Sequence, residues 1–251
     1  MSLAAIPATV LTRRMSPSSF MLAWPESPTE LAAAQRELAR STPPPWEPPA
    51  VALRVGACFV CFQRGDPGPG AKGDAAWAAA VVVSEGRVEE SGVVAGDAGA
   101  PYEPGLLALR EGALLETAVR KLGQPPDVLL VDATGRDHPR GAGLALHLGA
   151  VLEIPTVGVT HRPLAAEGDW PRDERGATSA LTLSGEVVGY WVRTRRGARP
   201  LAVHAAWRTD GRTAVEVVLA TTHGTRTPEP LREARRLARS ARAGKLAAVS
   251  P

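Results

Sequence analysis

The order of periodicities between residues 50 and 245 restricts the fold more than any other feature of this chain. Three runs of strand character come first, from about Val51 to Phe62, Trp77–Ser84 and Arg87–Val94, the last two joined by the short turn Ser84-Glu85-Gly86. Strands linked so tightly predict an antiparallel meander. From Gly105 to Leu122 the period changes. Leu106, Leu109, Leu114, Ala118 and Leu122 recur at helical spacing, and Gln124-Pro125-Pro126 ends the run. A short apolar run at Asp127–Asp132, a helix at Gly143–Leu152 and a strand at Thr156–Thr160 then alternate, which calls for parallel pairing. A hairpin around Ser184-Gly185, a strand at Pro200–Ala205 and two closing helices complete the pattern. The expected class is α/β, a mixed sheet in which a three-strand meander is followed by βαβ units, with flanking helices.

Ser27-Pro28-Thr29-Glu30 reads as a capping box with proline at the first helical position, followed by Leu31, Gln35 and Leu38 on a helical period, so a helix is expected over about 28–40. Pro43–Pro49 then forbids regular structure, and Gly65–Gly73 is a second loop expected to be mobile. Residues 24–245 are expected to form one domain, with 1–23 a disordered extension containing the alternative starts Met15 and Met21, and 246–251 a tail. The longest apolar stretch, Ala75–Val83, has nine residues, about half of a bilayer crossing. Arg13 and Arg14 follow a mildly apolar run, the wrong order for a secretory signal, so a cytoplasmic location and no membrane partner are expected. Oligomeric state has no signature here, and a monomer is expected.

The net charge of +3 permits an anionic partner without demanding one. Its placement says more, because Arg232, Arg235, Arg236, Arg239, Arg242 and Lys245 recur at helical steps, either as a solvated face or as phosphate contacts. Cys58 and Cys61 match C-x-x-C, but residues three apart on a strand face opposite ways and no second pair completes a zinc set. Gly68–Gly73 matches G-x-G-x-x-G but links two strands and does not open a helix, so it is no dinucleotide site. Asp132 ends a short parallel strand, where α/β sheets place their ligands. A helix cap is the bland reading, and a metal role requires that Glu111 converge on it, since hard cations need grouped oxygens.

Several segments together resemble the endonuclease V family. They are Pro101-Tyr102-Glu103-Pro104-Gly105-Leu106-Leu107, Arg110-Glu111-Gly112, Val131-Asp132-Ala133-Thr134-Gly135, His138-Pro139-Arg140 and Ile154-Pro155-Thr156-Val157-Gly158-Val159. Arg193–Gly197 and Pro228-Glu229-Pro230 extend the likeness over about residues 24–242. The resemblance implies an RNase H-like sheet and a DNA-repair nuclease dependent on Mg²⁺ or Mn²⁺. Such a nuclease recognises a deaminated purine, hypoxanthine, in DNA or RNA and cuts the second phosphodiester bond on its 3′ side. It further implies that Glu111 and Asp132 supply metal oxygens and that His138 lies beside them as part of the catalytic set. Tyr102, between Pro101 and Pro104, would be the wedge that fills the gap left by an everted base. Leu107, Gly135 and Leu164 would line the base pocket, with Arg140 contacting nucleic acid.

Three positions depart from that pattern. The first-strand aspartate of the family aligns with Phe59, or with Cys58 after a shift of one residue, and neither replaces a carboxylate. A catalytic lysine aligns with His161, and a histidine before the last strand–helix junction aligns with Trp207. Asp66, Asp74 and Asp137 are the nearby carboxylates that could compensate. The expected function is therefore an inosine-directed nuclease with impaired cleavage, and the alternative is a pseudoenzyme that binds the lesion without cutting.

Overall fold

The computed structural model describes residues 24–49, 52–65 and 68–246. The expected N-terminal extension with Met15 and Met21, residue Asp66 and nearly all of the tail lie outside them. The first helix, α1 (Pro28–Arg40), starts as its sequence dictates: the Ser27 hydroxyl accepts from the Glu30 amide at 3.2 Å. The Glu30 carboxylate reaches back to the Glu26 amide, one residue beyond the expected partner. Leu31, Gln35 and Leu38 are the buried face.

The meander follows as β1 (Val55–Phe62), β2 (Ala75–Ser84) and β3 (Arg87–Asp97), antiparallel throughout. Strand β1 begins later than its apolar run suggests, because the Arg54 amide donates to the Asp127 carboxylate and the Asp127 amide returns a bond to the Arg54 carbonyl. Helix α2 (Leu107–Arg120) leads to β4 (Val128–Val131), α3 (Leu144–Leu152) and β5 (Thr156–Thr160). Then come β6 (Thr178–Leu183), β7 (Glu186–Val192), β8 (Leu201–Ala205), α4 (Gly211–Ala220) and α5 (Glu229–Arg242). The eight strands make one sheet in the order β3-β2-β1-β4-β5-β8-β7-β6. Strands β1, β4 and β5 are parallel at its centre, and β8, β7 and β6 extend it antiparallel.

Each face of the sheet has its own core, as strand alternation requires. Cys58, Val60, Leu129 and Val131 face α1, α2 and α3, whereas Ala57, Cys61, Leu130, Val157 and Val203 face α4 and α5. The two cysteines point to opposite faces and are free, as their spacing predicts. The 68–74 loop is anchored at one point by α2. The buried Arg110 guanidinium donates to the Ala71 and Ala100 carbonyls and to Asp74 at 2.8 Å, and stacks 4.0 Å from the Phe62 ring. No helix among the described residues is long and apolar enough to cross a membrane.

Past β4 the chain runs hard against β8: a Cβ on Gly135 would stand 2.1 Å from the Ala205 carbonyl oxygen. Gly135→Ala is expected to cost about 1–3 kcal/mol through the forced shift of that loop, read as a lower urea midpoint with unchanged slope.

Candidate active site

The carboxyl ends of β1, β4 and β5 share one edge of the sheet, where loops and two helices converge. Cys58 pairs with Val131, so the next residues, Phe59 and Asp132, stand side by side. Glu111 approaches from α2, and Glu111, Asp132, Phe59, Cys58, Leu107 and Tyr102 line one cavity. Burial, and then the neighbouring Asp132 charge, push the Glu111 carboxyl up to about 8. The same burial and carboxylates push the Cys58 thiol far above its ordinary range. From the other face of the sheet, Arg235 of α5 donates to Asp132 at 2.8 Å, and its guanidinium lies 5.4 Å from the Phe59 ring.

A second cavity adjoins this one, with Tyr102, Pro104, Gly105, Leu107, Thr134, His138 and Leu164 among its walls. Its rim is held by a single carbonyl. Gly105 adopts φ 81°, and its oxygen accepts from Arg140 at 2.8 Å, from Gln35 at 3.3 Å and from the His138 ring at 3.1 Å. Arg140 also donates to the Gln35 amide oxygen at 2.5 Å, and the other His138 ring nitrogen accepts from the Arg140 amide at 3.1 Å. Both His138 nitrogens are thus engaged, and burial lowers its pKa, so the ring is a neutral latch for the Tyr102 segment. Tyr102 itself is 47% exposed, tied to the loop below by its amide on the Gly70 carbonyl at 3.2 Å, and Pro101 beside it is exposed.

The opposite rim hangs on Asp137. This buried carboxylate accepts from the amides of Leu164, Ala165 and Ala166 at 2.7 to 2.8 Å, fixing the partly exposed Leu164. His204 lies 3.6 Å from it and contacts Thr160, on the cavity wall, at 2.8 Å. His161 accepts from Arg226 at 2.9 Å, and the partial burial of its ring, with the Arg226 and Arg235 charges, lowers its pKa. Arg226 is itself anchored on the Arg199 and Pro200 carbonyls, so it carries the positive charge that His161 lacks.

Other positions fall elsewhere. Trp207 lies at the far end of the sheet, its backbone bonded to Thr156 at the start of β5, because β8 runs against β5. This corrects its expected place among the altered site residues. Gly135 packs on the β8 backbone and does not line the pocket floor. Asp74 is committed to Arg110 and Asp137 to three amides, so neither is placed to join Glu111 and Asp132 as a further ligand.

The donor set does not fit a hard divalent cation. Such ions require several oxygens around one point. Here Glu111 and Asp132 are accompanied by an aromatic ring and a buried thiol, and Asp132 is already paired with a guanidinium. Among the described residues no group of three or more His, Cys, Asp or Glu side chains is placed to hold a metal ion.

The family model for endonuclease V matches residues 62–236. The chain belongs to the endonuclease V family. It is 37% identical to the endonuclease V of Streptomyces coelicolor over 221 residues, 87% of this chain and 92% of that protein. The crystal structure of endonuclease V from Streptomyces avermitilis superimposes with a TM-score of 0.79 at 33% identity, covering 90% of this chain and 97% of that one. An endonuclease V of Ciona intestinalis, solved with a 24-mer DNA containing an inosine followed by a ribo-adenosine, shares the fold at TM-score 0.71 and 22% identity, over 86% and 97% of the two chains. Endonuclease V homologues are nucleases, and the mixed α/β sheet expected from the sequence is the family's RNase H-like sheet.

Sequence reasoning missed Gln35, taken as an ordinary helix-face position, and did not single out Arg235 from its five cationic neighbours. The raised carboxyl of Glu111 gives a test. Folded Glu111 keeps its proton to about pH 8, whereas the unfolded side chain loses it near 4.5, so folding takes up a proton in that window and stability from this group falls as pH rises through it. Glu111→Gln should therefore melt above the wild type beyond about pH 8 and match it near pH 4. Thermal melts across that range check this. A variant less stable at high pH would mean that the carboxylate is neutralised by a cation.

Proposed function

We propose that this endonuclease V homologue binds a DNA or RNA strand at a deaminated purine, hypoxanthine, and holds the lesion without the family's metal-assisted cut. One observation carries the reading: the cavity beneath Tyr102 is walled by Leu107 and Leu164 with its rim latched, while the carboxylate corner beside it presents Phe59 where the family resemblance implies an aspartate. Everting a base costs a few kcal/mol and leaves a gap in the stack, and an exposed ring fixed by its own backbone is suited to fill it. The cavity, about 150 Å³, is well below the roughly 300–1,000 Å³ of pockets for drug-sized ligands, which suits one base. Inosine is the lesion in the DNA held by the Ciona relative, and it supplies the substrate class for this proposal.

Loss of one direct ligand removes charge stabilisation of several kcal/mol, and each 1.4 kcal/mol is about tenfold in rate. The retained pair of Glu111 and Asp132 favours a second reading, a working nuclease with a rebuilt Mg²⁺ or Mn²⁺ site. Labelled single-inosine DNA and its RNA counterpart, incubated with either ion and titrated for binding, decide between the two. Inosine-selective binding is expected, with no more 3′ product than Asp132→Ala yields. Stacking is worth about 1–3 kcal/mol per base, so Tyr102→Ala should reduce inosine preference about tenfold. Cleavage that Asp132→Ala abolishes would establish the nuclease.

A further inference from the structure

The place between the carboxylates and Phe59, where a cation would have to sit, is approached by a side chain that is itself a cation. Arg235 bonds Asp132 at 2.8 Å, and Arg235 and Arg239, one helical turn apart on α5, carry their guanidinium carbons 5.4 and 5.8 Å from the same Phe59 ring. An aromatic face attracts a cation at such distances and supplies no lone pair to a metal. Phe59 therefore serves as a seat for arginine, and its presence and that of Arg235 reinforce one another. The ion pair is not sealed: the Arg235 and Asp132 side chains are 18% and 25% exposed. Arginine has five donors, and a single bond from Arg235 is found among the described residues. Arg226, held by two carbonyls, stands on the same side beside His161. On the outer surface Arg232, Arg236, Arg239 and Lys245 continue the positive face along α5.

We infer that the guanidinium of Arg235, seated on Phe59 and paired with Asp132, takes the divalent cation's place and binds a backbone phosphate of the strand directly. This rests on the lesion-binding reading for the identity of the strand, although the exclusion of metal does not. A planar fork of donors matches phosphate oxygens without any ion between. Strand binding is then indifferent to divalent metal and sensitive to salt through one more arginine contact.

The test uses the full chain in three measurements. Calorimetric titration of the protein alone with Mn²⁺ should give no saturable heat. Affinity for an inosine-containing single strand should agree within about twofold in Mg²⁺ and in EDTA. Arg235→Ala should weaken that affinity about tenfold and make the dependence on log salt shallower by about one, with Arg235→Lys retaining most of both. Saturable Mn²⁺ binding lost in Asp132→Asn would overturn the inference, as would unchanged affinity and slope in Arg235→Ala. Equal binding of inosine and adenosine strands by the wild type would sink the lesion reading while leaving the Mn²⁺ and salt measurements to judge Arg235.

Discussion

Three parallel strands at the centre of the sheet, covered on both faces by helices, set the terms for the rest of the molecule. Strands buried on both sides read as unbroken apolar runs, and their backbone bonds run to one another, so polar chemistry is left to the residues just past their carboxyl ends. Phe59 and Asp132 are two such residues. The register of β1 on β4 puts them together whatever they are, so the residue at position 59 sets the chemistry of the edge beside Asp132 while the sheet pairing is left to the backbone. The two faces then deliver different partners: α2 brings Glu111 from one side and α5 brings Arg235 from the other.

The neighbouring cavity depends on two small networks of hydrogen bonds. On one rim, three side chains converge on the carbonyl of Gly105, a residue whose left-handed backbone suits glycine, and so fix the segment that exposes Tyr102. On the other, the Asp137 carboxylate collects three consecutive amides and fixes Leu164. Buried charge satisfied by several donors is stiff, and a stiff rim presents its ring and its leucine without the entropic cost of ordering a loop at the moment of binding. His138 belongs to this scaffold: one ring nitrogen bonds the Gly105 carbonyl of the Tyr102 segment and the other accepts from the Arg140 amide.

Much of this was legible in the sequence because its signals are local. The Ser27 cap, the meander turn at Glu85-Gly86 and the short run ending at Asp132 each specify their element within a few residues. What stayed hidden depends on direction and reach. Trp207 was expected near the site, yet antiparallel β8 carries its end to the opposite edge, and no short motif records strand direction. Arg235 was one of six cationic residues on a helical face, and only the packing of α5 across β1 and β2 decides which reaches Asp132. Gln35 read as part of an apolar stripe because its polar partners, Gly105 and Arg140, are 70 and 105 residues away. The loop expected to move is bonded by Arg110, whose partners in it, Ala71 and Asp74, are 39 and 36 residues away.

In the proposed arrangement the Arg235 guanidinium, seated on the Phe59 ring and bonded to Asp132 beside Glu111, takes the place of a metal ion. Removing both halves of that arrangement tests it most directly, by titrating Mn²⁺ calorimetrically into the double variant Phe59→Asp with Arg235→Ala. Three carboxylates would then face one point, and the expected result is saturable Mn²⁺ binding that disappears when Asp132→Asn is added. A double variant that folds with an unchanged melting profile yet binds no Mn²⁺, or a wild type that binds it equally well, would contradict the claim that Phe59 and Arg235 are what exclude the ion.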